Sequence, residues 1–256
     1  MRSASVGMKE SYGCCAVARM RPTERRSLVR IAILSDIHGN LMALDAVMTD
    51  IDSQSPDQVW CGGDLAWGGP WASECIARVR ETGWPTVRGN TDVWLTGDPQ
   101  TVESESDRRE LMEVAAAHAI SDDDARWLAN LPIGHTGPSG SLLVHASPDS
   151  PFSAPGPDGD PGDFEPYEGR AQLIVYAHVH RAFLRRLRDG TIVANTGAVG
   201  FPMDGPTASY LLIDIDAPDI TFTHRRVEFD RRAGIAQART LGPPLQDFFI
   251  RTLGPE

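Results

Sequence analysis

The sequence predicts an α/β fold, and three observations carry that prediction. Short apolar segments with β-branched residues alternate with amphipathic helical segments along the first half of the chain. Each of these short segments stops at a loop bearing Gly, Asp, Asn or His. From Phe183 onward the pattern becomes that of antiparallel strands joined by tight turns. At 256 residues the chain is one large domain or at most two small ones.

Leu28–Ser35 is a near-continuous apolar run, the mark of a central strand buried on both faces. It ends at Asp36-Ile37-His38-Gly39-Asn40. Asn40 can cap a helix running to about Asp52, with Leu41, Leu44, Val47, Met48 and Ile51 on its apolar face. Gln58–Cys61 reads as a second strand, ending at Gly62-Gly63-Asp64, and a helix follows over Trp71–Glu81. Pro85–Arg88 reads as a third strand, ending at Gly89-Asn90-Thr91-Asp92. Residues 97–131 form a helical insert, with helices over Asp107–Ala119 and Asp122–Asn130; Ser121 caps the second and Pro132 stops it. Leu142–Val144 is a strand running into His145, and Leu173–Ala177 is a strand running into His178-Val179-His180. Between them residues 147–166 are rich in Pro, Gly and Asp without periodicity, a long loop of the kind that carries function. Phe183–Arg188 and Thr191–Ala194 flank an Asp189-Gly190 turn as a hairpin. Ser209–Ile215 and Ile220–Phe229 continue the β pattern, and a helix near Arg231–Arg239 precedes a Pro-marked tail.

Composition excludes several classes. No apolar run approaches the ~18 residues of a membrane-spanning helix. The net charge of −11 argues against a duplex nucleic-acid surface, which needs Lys and Arg to neutralise phosphates. Residues 1–29 are basic and read as a leader without assigned function, or as a start placed upstream of Met8 or Met20; the main domain is then 30–256. Cys14, Cys15, Cys61 and Cys75 form neither a disulfide framework nor a zinc-ribbon spacing, which leaves a cytoplasmic location as the default.

The metal-capable side chains fall in a pattern. Asp36, His38, Asp64, Asn90, His145, His178 and His180 all follow apolar strand segments, at five separate strand ends. Ligands of open α/β sheets bind beyond the carboxyl ends of strands, so the seven are directed to one rim. In extended backbone the members of an Asp-x-His or His-x-His pair share a face. Mixed oxygen and imidazole donors suit manganese, iron, zinc, nickel or cobalt better than calcium. The chain has no Gly-x-Ser-x-Gly, Walker A or His-Glu-x-x-His motif to compete with this reading.

The set Asp36-x-His38, Gly63-Asp64, Gly89-Asn90-x-Asp92, His145 and His178-x-His180 resembles the calcineurin-like metallophosphoesterase superfamily. The stretches Ser35–Asn40 and Asn195–Gly200, with Asp204-Gly205 after them, are similar to its small prokaryotic phosphodiesterase branch, over about residues 29–240. The resemblance implies a four-layer α/β/β/α sandwich of two mixed sheets with two divalent metal ions, manganese first among the choices, at the strand ends. It assigns Asp36, His38 and His180 to one ion, Asn90, His145 and His178 to the other, and Asp64 to both. Asp64, Asn90 and His145 then form the catalytic group, with a metal-bridging hydroxide attacking a phosphodiester in line. A phosphomonoesterase, a protein Ser/Thr phosphatase or a nucleotide pyrophosphohydrolase would share this core, and a non-catalytic scaffold is the alternative of another class. Retention of all seven side chains speaks against a scaffold. Two positions depart from the family pattern. Thr91 stands where His is frequent, which removes a general acid and favours good leaving groups; Ala177 stands where Gly is usual.

Other residues carry weaker expectations. Arg88, Asn40 and Arg181 adjoin the motifs and are candidate substrate contacts for a small phosphoester. Trp67, Trp71 and Trp94 are expected mainly to pack, as are His118, His135 and His224. The arginines at 185, 186, 188, 225 and 226 read as a solvated strand face. Residues 97–131 and 147–166 leave from ligand-bearing strand ends and are expected to set specificity as a lid, so that deletion of 153–164 would spare metal content. A homo-oligomer is compatible with all of this.

Overall fold

The computed structural model describes residues 28–97, 104–216 and 219–254. Residues 1–27 of the expected leader, with Cys14 and Cys15, lie outside the described residues, and Val29 belongs to the first strand. Two mixed sheets face one another. The first has the order β2 (Gln58–Cys61), β1 (Val29–Leu34), β8 (Ala208–Asp216), β9 (Asp219–Val227). β1 pairs parallel to β2 and antiparallel to β8, and β8 pairs antiparallel to β9. The second has the order β3 (Gly134–Thr136), β4 (Leu142–Val144), β5 (Leu173–Tyr176), β7 (Ile192–Thr196), β6 (Ala182–Arg186). Parallel pairs β4–β5 and β5–β7 form its centre, with antiparallel β3 and β6 at its edges.

Alternation along each central strand builds the layers. Ile31 and Ile33 of β1 point between the sheets with Trp60, Leu173, Val175, Leu211 and Ile213. Ala32 and Leu34 point the other way, under α1 (Leu41–Gln54), α2 (Ala72–Thr82) and α5 (Asp122–Ala129). Burial on both faces explains why the strand sequences are apolar throughout. On the far side Val144, Ile174, Tyr176 and Val193 are covered by Phe164 and Tyr167.

That cover corrects the expectation for 147–166. The segment is a packing layer containing a 3₁₀ helix, Pro161–Tyr167. Phe164 and Tyr167 are fully buried, the Tyr167 hydroxyl donates to the Ala146 carbonyl at 2.8 Å, and Arg185 lies over the Phe164 ring at 4.2 Å. Deleting 153–164 would therefore open the core. The expected third strand is also corrected: Thr86 makes a single parallel bridge to Cys61. The Val87 amide donates to Cys61, but the next amide, Arg88, donates to Pro132, so the pairing ends there. Asn90 thus opens a short helix, α3 (Asn90–Thr96). The tail forms α7 (Leu245–Leu253), which packs beside α6 (Arg231–Leu241) and α4 (Glu105–Ala117). No helix among the described residues is long and apolar enough to cross a membrane.

Candidate metal centre

The carboxyl ends of β1 and β2 meet those of β4 and β5 at one rim. The backbone there is not extended. Asp36, His38, Asp64, His178 and His180 all have positive φ, between 50° and 66°. Non-glycine residues in this region cost of order 1–3 kcal/mol each and persist where the surroundings over-determine them. Two loops do so here. The amides of Asp36 and His38 donate to the carbonyls of Gly63 and Asp64 at 3.0 and 2.9 Å. The amides of Val199 and Gly200 donate back to Ser35 and Asp36 at 3.0 and 2.8 Å. A Cβ on Gly200 would stand 1.9 Å from the Ile37 carbonyl oxygen, so this approach requires glycine. Ala177, the departure from the family pattern, is not among the positive-φ residues and needs no glycine.

These turns bring the seven sequence-chosen side chains into one chain of contacts. His180 Nε2 lies 3.2 Å from Asp36 Oδ1 and 3.2 Å from His38 Nε2. Asp64 Oδ2 lies 3.6 Å from His38 Nε2 and 3.5 Å from His145 Nε2, between the two groups. Asn90 Oδ1 lies 2.9 Å from His145 Nε2 and 2.8 Å from His178 Nδ1. All are buried except His178, which is partly open to solvent.

Three imidazoles have their Nδ1–H committed to backbone carbonyls: His38 to Trp67 at 2.9 Å, His180 to Phe201 at 2.8 Å, His145 to Gly62 at 2.7 Å. Their Nε2 atoms therefore turn lone pairs inward. Two such nitrogens facing at 3.2 Å, beside carboxylate oxygens, need positive charge between them: a proton on His180, which the Asp36 carboxylate favours against the cost of burial, or a bound cation in its place. Burial pushes the His38 and His178 imidazoles down to about 3, so neither competes as a proton carrier. Burial also opposes charge on Asp36, yet His180 beside it holds the carboxyl well below the usual range. The donor set thus fits a divalent ion. Asp36, His38, Asp64 and His180 each present a ligand atom within 4.8 Å of the others.

Asp92 is fully buried, and its sequence motif did not disclose its role. Its Oδ2 accepts from the amides of Asp64 and Gly89 at 2.9 Å each, and its Oδ1 from Leu65 at 3.0 Å, so it ties the Asp64 loop to the Asn90 loop. Ser35 similarly donates to Asp36 Oδ2 at 2.6 Å. Thr91 is buried; its amide donates to Asp64 Oδ1 at 2.9 Å.

Asn40 is corrected as a substrate contact. It is fully buried, its Oδ1 accepts from Ala43 to cap α1, and its Nδ2 donates to Gly200. Arg88 reaches the Ala129 carbonyl at the end of α5, while Arg181 is exposed beside His180. Trp67 packs against Trp94 and Phe248, and His118 accepts the Gly68 amide, as packing residues do. Arg225 and Arg226 pair with Asp50 and Asp204, so that face is ion-paired.

Comparison with known proteins identifies the family and the fold. Residues 29–218 match the calcineurin-like phosphoesterase superfamily domain. An uncharacterized protein of Methanocaldococcus jannaschii is 28% identical over 222 residues, covering 78% of this chain and 88% of its own. A metallophosphoesterase from Sphaerobacter thermophilus is similar at 25% identity and a TM-score of 0.67, over 88% of this chain and all of that one. A hypothetical protein of Pyrococcus horikoshii shares the fold at a TM-score of 0.70 and 20% identity, over 89% of this chain and all of that one. The domain match spans the strand ends from which the buried Asp and His side chains converge, and the chain belongs to the calcineurin-like phosphoesterase superfamily, as a metal-dependent phosphoester hydrolase.

Proposed function

We propose that the chain hydrolyses phosphodiesters with two divalent ions. Asp36, His38 and His180 would hold one, Asn90, His145 and His178 the other, and Asp64 both. The observation that carries this is the place of the Asp64 carboxylate between His38 and His145. Bound ions would supply a water acidified near neutral pH and positive charge for the phosphoryl oxygens. The chain's own residues hold and orient. Asp92 fixes the loop carrying Asp64, and three carbonyls fix the imidazoles. His178 stands at the open edge where substrate would enter, next to exposed Arg181.

A diester fits better than a monoester dianion, because the cationic complement is small: Arg88 is engaged at α5 and the chain carries −11 overall. Thr91 supplies no acid to the leaving group, which favours stable leaving groups. The mixed nitrogen and oxygen donors favour manganese and its neighbours. Buried free Cys61 and Cys75 suit a reducing cytoplasm.

The test compares bis-(p-nitrophenyl) phosphate with p-nitrophenyl phosphate in manganese. A kcat/KM at least tenfold higher for the diester is expected, with Asp64→Ala and His178→Ala inactive. A preference for the monoester overturns the substrate class; activity retained in both variants overturns the site.

A further inference from the structure

We infer that Phe248, on helix α7, is a positioning residue for the half of the site formed by Asp36, His38 and His180. This rests on the metal-binding reading above. The helix lies beyond the residues that match the superfamily domain.

The Phe248 ring meets the Trp67 ring edge-on at 4.7 Å between centroids and the Phe201 ring at 5.8 Å. It also fills the space where a Cβ on Gly68 would be, 2.8 Å from that point. One side chain therefore braces both segments whose carbonyls orient the facing imidazoles, Trp67 for His38 and Phe201 for His180. The Phe201 ring itself stacks on His38 at 4.6 Å and 12°. Around Trp67 the brace is continued by Val114 of α4 and Leu245 of α7, which pack on it, and by the Leu111 carbonyl of α4, which accepts its indole N–H. The other half is held differently. His145 is oriented by the Gly62 carbonyl at the end of β2, and Asn90 by its place in α3. Loss of the Phe248 ring should therefore act on one ion and spare the other, which general destabilisation would not do.

The experiment is manganese titration of the metal-stripped full chain, by calorimetry and by the electron spin resonance of free ion. Wild type should bind two ions. In Phe248→Ala, one class should weaken roughly ten- to a hundredfold, the range typical when a ligand's outer partner is lost, while the other stays within about twofold. Phe248→Leu, which keeps much of the volume, should recover most of the loss. It carries the comparison if the alanine variant does not fold. Leu253→Ala, a buried residue of the same helix, should lose unfolding stability and leave both classes unchanged. Both classes unchanged in Phe248→Ala, or equal weakening in Leu253→Ala, overturns the inference. His38→Ala separates the two readings. If it removes one class and Phe248→Ala does not weaken it, the positioning role alone falls. If His38→Ala changes neither class, the metal-site reading falls.

Discussion

Replacing Asp92 by Asn changes one atom in the part of the site that joins two ligand loops. The carboxylate is fully buried and accepts three amides, two at Oδ2 and one at Oδ1. An Asn with its oxygen in the Oδ2 place keeps the Asp64 and Gly89 bonds. Its NH₂ then faces the Leu65 N–H across 3.0 Å, donor against donor. Losing a hydrogen bond to a charged acceptor and stranding a buried amide costs about 2–4 kcal/mol. Part is returned, because burial penalises the charged carboxyl and pushes its pKa up. The net expectation is about 2 kcal/mol. Asp92→Ala strands all three amides, at about 1–3 kcal/mol each, and should lose roughly twice as much. Against the 5–15 kcal/mol typical of a domain, the first variant folds and the second approaches the threshold. Urea unfolding of metal-free protein measures the loss, and manganese titration of the Asn variant should show binding weakened roughly tenfold or more. An Asn variant within about 0.5 kcal/mol of wild type, binding metal normally, would refute the assignment of Asp92 as the tie between loops.

Three further outcomes follow from geometry. Gly89 has an ordinary φ of −90°, but a Cβ there would stand 2.0 Å from Asp64 Oδ1. Gly89→Ala should displace that carboxylate and lower metal affinity sharply, measured by titration; normal affinity would show that Asp64 can move without consequence. Phe164→Ala should cost about 3–5 kcal/mol in urea unfolding, the range for a buried Phe, and a loss below about 1 would restore the loop as a detachable lid. His118 accepts the Gly68 amide through Nε2, and burial pushes its pKa down from 6.5 to about 4. Its folded value is depressed, so the unfolded chain binds the extra proton. The stability it contributes is present above about pH 6.5 and lost as pH falls toward 4. Between pH 7 and 4.5 wild type should lose more unfolding stability in urea than His118→Gln, by up to roughly 3 kcal/mol, over a slope that the other buried histidines give both proteins. Parallel profiles would refute it.

Much of the architecture was legible because the code there is local. The apolar run Leu28–Ser35 marks a strand buried on both faces, and β1 is one. Asn40 reads as a helix cap and caps α1 through its Oδ1. The site residues were found by where they stop the strands. How they converge was not legible. The Asp-x-His spacing suggests side chains sharing one face of extended backbone, whereas Asp36 and His38 are both left-handed. That geometry is imposed by carbonyls of Gly63 and Asp64, some 27 residues away, which no local pattern encodes. Asp92 stood in the quoted motif, yet its task depends on three amides brought together only by tertiary contact. The missed α7 had a signal: Leu245, Phe249 and Leu253 recur at helical spacing and are buried. Pro243-Pro244 just before them reads as chain punctuation and masked it.

The same strain that hid the site from local rules makes a final prediction about the folded state. Five candidate ligands sit in positive-φ conformations, and the Nε2 atoms of His38 and His180 face each other at 3.2 Å. Burial pushes the Asp64 carboxyl up, so the metal-free fold holds its acidity unwillingly. These costs are offset when a cation is bound and are absent from the unfolded chain. A divalent ion should therefore stabilise the fold by mass action: about 2.7 kcal/mol per site at a hundred times Kd. The effect should depend on donor type. Manganese accepts imidazole together with carboxylate, whereas calcium prefers all-oxygen shells. At equal concentration manganese should raise the unfolding temperature well beyond calcium, and His38→Ala should remove most of the difference. Equal stabilisation by both ions would mean that diffuse screening of a −11 chain, rather than this buried donor set, accounts for the effect.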